Sequence, residues 1–121
     1  MSIRIIIFLL SISFFAKAQT PGDKQAILNV LETQRGAWNK GDVEQYMQGY
    51  VKSDSLLFVG KRGPTYGWQQ TLDNYEKGYP DKAAMGFLTF GIKKVEFLNK
   101  DVAFVLGSWH LKREKDEPQG F

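Results

Sequence analysis

The sequence predicts an α+β domain in which helices pack on one side of a curved sheet. Three observations carry this expectation. Apolar residues recur at three- and four-residue spacing through the first two thirds of the chain, the period changes to two near residue 87, and that alternation slips by one residue inside the first long strand. The 121 residues fit one domain, and 43% hydrophobic with 24% charged residues excludes collagen-like, coiled-coil and wholly disordered chains. The absence of cysteine removes disulfide frameworks, thiolate metal sites and cysteine nucleophiles.

Residues 1–18 read as a secretory signal peptide. Arg4 supplies the positive charge, Ile5 to Phe15 is apolar apart from Ser11 and Ser13, and Ala16-Lys17-Ala18 offers a small-residue cleavage site. The apolar run is shorter than the roughly 20 residues that a spanning helix needs. Residues 19–121 are then a secreted or periplasmic domain with no membrane contact after cleavage. Removing Arg4 and Lys17 leaves 14 basic against 13 acidic side chains, too even a balance for the basic stripe that nucleic-acid binding requires.

Pro21 and Gly22 break the chain, after which Asp23 can cap a helix that places Ile27, Val30, Leu31, Gln34, Ala37 and Trp38 on one face, ending at Gly41. Asp42 with Gln45 forms a capping-box pattern for a second, shorter helix whose stripe is Val43, Tyr46, Met47 and Tyr50. Ser55 to Val59 reads as a strand, and Gly60, Gly63, Pro64 and Gly67 as a turn with at most a brief return strand. A third helix spans Trp68 to Gly78 with Trp68, Leu72 and Tyr75 on one face, closed by Tyr79-Pro80-Asp81. Leu88, Phe90 and Ile92 then alternate on even positions and Val95 and Phe97 on odd ones, which places a β-bulge near Lys93-Lys94. Asn99-Lys100-Asp101 turns the chain into a hairpin partner over Val102 to Arg113, with Ala103, Val105, Gly107, Trp109 and Leu111 facing the core. Gly120-Phe121 begins another strand.

These residues carry a resemblance. Trp38-Asn39-Lys40-Gly41-Asp42, Tyr46-Met47, Tyr50, the Leu56 to Val59 strand, Gly67 before the third helix, and the strand from Asp101 to Trp109 resemble the SnoaL-like, nuclear transport factor 2-like superfamily, in particular exported bacterial members of unassigned function. The resemblance implies a cone-shaped antiparallel or mixed sheet wrapped around three helices of the N-terminal half, a pocket at the wide end, and a homodimer formed through the outer sheet face. It also implies two further central strands that this sequence does not contain, so the domain is expected to be incomplete at its C-terminal end, with no hydrogen-bonded path from the Phe87–Arg113 hairpin to the Ser55 strand.

Catalytic chemistry finds little support. His110 is the sole histidine and its parity opposes Trp109, which directs it outward. The superfamily's ketosteroid isomerases place a carboxylate base around the first strand, but Ser55 to Gly60 contains none, while Asp54 and Asp101 have the flanks of turn residues. No metal-ligand spacing and no phosphate loop occurs, so no catalytic residue, metal or cofactor is assigned. Trp38, Tyr46, Tyr50, Phe58, Tyr75 and Trp109 all fall on inward faces, and their hydroxyl and indole edges suit a pocket with apolar walls and a few convergent donors. The expected function is therefore binding of a small organic ligand. Isomerase, dehydratase or cyclase chemistry is one alternative, and a dimerisation module is another.

Overall fold

The structure is a computed structural model that describes residues 21 to 121, so the signal-peptide reading of residues 1 to 18 lies outside the described residues. Helix α1 (Pro21–Asn39) is already helical at Pro21, where a missing backbone N–H costs nothing. Asp23 thus lies within the first turn and not ahead of it. Gln34, Ala37 and Trp38 are buried as expected, but Val30 is 46% exposed. Helix α2 (Val43–Met47) follows, five residues of which Val43, Tyr46 and Met47 are buried. Gly41 joins the two helices at φ +82°, a left-handed conformation that most side chains resist. Asp42 accepts a 2.9 Å hydrogen bond from the Gln45 N–H, fulfilling the capping expectation.

Strand β1 (Leu57–Gly60) begins two residues later than the apolar run suggested, because the Ser53 hydroxyl accepts the Ser55 N–H at 3.1 Å and holds that segment in a turn. Strand β2 (Gly63–Tyr66) returns fully, pairing Leu57 with Tyr66 and Val59 with Pro64. Helix α3 (Trp68–Gly78) matches its expected span and buries Trp68, Thr71 and Leu72. A further helical turn, α4 (Lys82–Met85), follows; Asp81 starts it by accepting from the Ala84 N–H at 2.8 Å. Its exit through Gly86 has φ +63°, and a Cβ there would lie 2.6 Å from the Lys112 carbonyl oxygen, so only glycine lets α4 meet the sheet.

Strand β3 (Phe87–Phe97) and strand β4 (Ala103–Lys112) form the long hairpin. Ile92 faces Gly107 and Lys94 faces Leu106, so Lys93 is the extra residue and the bulge lies where the alternation slips. Asn99 Oδ1 accepts the Asp101 N–H at 2.8 Å and shapes the turn. Strand β5 (Gln119–Gly120) pairs with Trp109 and His110, the strand start anticipated there.

The strands form two separate sheets among the described residues, β1-β2 and β3-β4-β5, so the sheet is not closed, as anticipated. The core lies between the helices and the near end of the long hairpin, with Trp38, Met47, Trp68, Leu72, Met85, Leu88 and Leu111 buried together. Beyond the bulge the outward residues Phe104 and Leu106 are 52% and 40% exposed while their neighbours Val105 and Ala103 are half-buried, so the anticipated facing of β4 is the observed one.

Candidate ligand-binding site

Five of the six residues expected to line a pocket come together. The Trp38 ring on α1 meets Tyr46 on α2 with centroids 5.1 Å apart and Tyr75 on α3 at 5.7 Å. Tyr46 contacts Tyr50 at 5.8 Å and Tyr75 at 5.5 Å, and Phe58 on β1 reaches Tyr75 at 5.7 Å. All are edge-on, the arrangement in which a positive ring edge meets a negative face. The sixth, Trp109, is half-buried against the core opposite Phe90, and among the described residues no ring contact joins it to the cluster.

Tyr79 is the member that sequence reasoning missed. The sequence places it in the segment closing α3, yet its ring lies 4.9 Å from Trp38 and 5.9 Å from Tyr75. The spacing of four from Tyr75 held the signal, since i and i+4 side chains share a helix face. Tyr79 is still oriented by the helix, because its N–H donates to the Tyr75 carbonyl at 2.8 Å.

The polar edges of these rings have two fates. The indoles are satisfied inside the protein: Trp38 Nε1 donates to the Met85 carbonyl at 2.9 Å, and Trp68 Nε1 to the Met47 carbonyl at 2.8 Å. The phenols gather instead, with the Tyr46 and Tyr50 hydroxyls 3.2 Å apart. Burial, reinforced by the neighbouring phenols Tyr50 and Tyr75, pushes the Tyr46 hydroxyl far above its ordinary pKa of 10. Burial, and after it Tyr50, raises Tyr75 in the same way. Both are neutral hydroxyls throughout the physiological range, able to donate.

Tyr46 is buried, whereas Tyr50, Phe58, Tyr75 and Tyr79 are each half-exposed, so the cluster has a wetted rim. A cleft of about 510 Å³ borders Tyr79, lined by the apolar Val43, Pro80 and Met85, by the acidic Asp42, Glu44, Glu76 and Asp81, and by Lys82. Of the aromatic cluster only Tyr79 borders it.

The residues weighed for catalysis stand apart. Asp54 lies in the turn before β1 and Asp101 in the β3-β4 turn. His110 Nε2 is 3.1 Å from the Glu117 carboxylate. Among the described residues no group of three or more His, Asp or Glu side chains could hold a metal ion.

A helical layer against a bent, unclosed antiparallel sheet, with an aromatic cluster between the helices and β1, defines an α+β domain of the cone type. No protein-family model matches the chain, and no curated protein matches it. Among solved structures it is similar to an NTF-2-like protein of unknown function from Shewanella oneidensis MR-1, with 42% identity over 80% of each chain and a TM-score of 0.77. The chain therefore belongs to the NTF-2-like family. It is also similar in fold to a domain of unknown function with a cystatin-like fold from Nostoc punctiforme PCC 73102, at 18% identity and a TM-score of 0.68; this match covers 84% of the chain and 62% of that domain's chain.

Proposed function

We propose that this NTF-2-like chain is an exported domain that binds a small, partly apolar organic molecule carrying a hydrogen-bond acceptor, without converting it. The observation that supports this reading is the grouping of the Tyr46 and Tyr50 hydroxyls, 3.2 Å apart, in an aromatic cluster whose outer members are only half-buried. Flat apolar surface lies beside phenolic hydroxyls, the combination that orients a carbonyl or ether against an aromatic wall. The apolar run of residues 5–15 and the small residues at 16 and 18 support export.

The test is intrinsic tryptophan fluorescence, since Trp38 touches three of the tyrosines. Titration with a panel of carbonyl-bearing aromatic and alicyclic metabolites is expected to shift its emission saturably. Tyr50→Phe, which removes one hydroxyl and no ring, is expected to weaken binding by about three- to tenfold. A panel that leaves the emission unchanged would refute the reading.

A second reading has its own support. Phe104 and Leu106 stand exposed side by side on the outer face of the long hairpin, a surface suited to a second copy of the chain. A homodimer through that face predicts a mass that rises with concentration and falls to the monomer value in Phe104→Glu.

A further inference from the structure

The hairpin β1-β2 presents a face that the ligand-binding proposal does not use. Its inner side carries Phe58 into the aromatic cluster. Its outer side carries Leu57 opposite Tyr66 and Val59 opposite Pro64, two cross-strand pairs that are exposed among the described residues. Leu57, Val59 and Tyr66 are 50%, 69% and 64% exposed, and nearby Val51 is 64% exposed.

The charges around this face have one dominant sign. Lys61 and Arg62 form the tip of the hairpin, and Lys52 stands at its base with Nζ 4.7 Å above the Trp68 ring. The base is held close because Gly67 N donates to the Leu56 carbonyl at 2.8 Å and Trp68 N to the Ser53 carbonyl at 3.0 Å. Asp54 is the single carboxylate between residues 51 and 66. No ion pair engages Lys52, Lys61 or Arg62 among the described residues.

From this juxtaposition of exposed apolar pairs and cations outside any ion pair, and against the expectation of no membrane contact after cleavage, we propose that the outer face of β1-β2 seats on an anionic lipid surface. The size of the face selects this occupant. A stable protein interface needs roughly 800 Å² and 20 or more residues from each side, which two four-residue strands do not supply. A lipid interface asks for less: a few aliphatic side chains below the headgroups, an aromatic ring with a polar tip among them, and cations near the phosphates. Leu57 and Val59, Tyr66, and the Lys61-Arg62 tip fill those roles in turn. The charges of the tip select anionic over zwitterionic lipid. No helix among the described residues is long and apolar enough to cross a membrane, so the attachment is one of seating on the surface.

Vesicle flotation tests the proposal, with the full chain and vesicles of phosphatidylcholine either alone or mixed with phosphatidylglycerol. Binding to the mixed vesicles is expected to exceed binding to phosphatidylcholine by about tenfold or more at low salt, and to fall as salt is raised. Two variants are expected to abolish the excess: Lys61→Glu with Arg62→Glu, and Val59→Asp. Because residues 5–15 are present in every form, the difference between variants and parent isolates the hairpin. Val59 is exposed, so circular dichroism of Val59→Asp should match the parent, and Tyr66→Ser provides an independent change on the same face. Equal binding by parent and variants, or no preference for phosphatidylglycerol, would overturn the proposal. So would a fall in mass of Val59→Asp without lipid, which would assign the face to a second copy of the chain.

Discussion

Asn39 does the work of a strand partner from the end of a helix. Its Nδ2 donates to the Leu88 carbonyl at 3.0 Å and its Oδ1 accepts the Leu88 N–H at 2.7 Å, so one side chain occupies both backbone groups of a residue at the start of β3. Asn39→Ala is expected to lower stability by about 1–3 kcal/mol, because two partly buried backbone groups lose their partners; denaturant melts measure this, and an unchanged midpoint would contradict it. Tyr46 makes a second residue-scale prediction. Its folded-state pKa stands above that of the unfolded phenol, so its contribution is intact below pH 10 or so and is lost as pH rises beyond that, when the unfolded chain releases the proton first. Thermal melts from about pH 8 to 11.5 should fall more steeply in the parent than in Tyr46→Phe. At this scale the sequence marked the aromatic cluster by helical spacing, yet it hid Tyr79 behind Pro80, which reads as a stop. It also hid Asn39, whose role depends on where a strand 49 residues later comes to lie.

The bulge in β3 separates two properties of a strand that usually travel together. Facing is kept by alternation, and direction is changed by the extra residue Lys93. Deleting Lys93 would leave Leu88, Phe90, Val95 and Phe97 on one face while removing the bend. The deletion is therefore expected to preserve β-sheet signal in circular dichroism but to lower the melting temperature, through poorer contact between α1 and β3; an equal or higher melting temperature would show that the bend carries no packing. This element was legible because the slip in apolar parity is a local pattern. Helix α4 was not, since four residues give too little periodicity to detect, and its start rests on the Asp81 cap and its end on Gly86. The start of α1 is hidden for a related reason, as Pro21-Gly22 punctuates a sequence whether it precedes a helix or opens one.

At the scale of the whole molecule, no strand pairing joins the two sheets among the described residues. The β1-β2 ribbon is thus the less anchored part, and its amides are expected to exchange with deuterium well before those of the β3-β4 ladder, where ten residue pairs support one another. Mass spectrometry of exchange would show this, and equal protection would indicate a rigid link between the sheets. The architecture as a whole was readable because helices and strands occupy separate stretches of the chain, whereas the use made of each aromatic ring depends on three-dimensional neighbours. The two indole donors illustrate the point, since both end on the final residue of a short helix, Met85 in α4 and Met47 in α2. Neither helix has the length to hold its own terminus, so large side chains from α1 and α3 act as their stoppers. The protein consequently carries its own optical gauges: unravelling of either short helix is expected to free an indole to water and redden its emission.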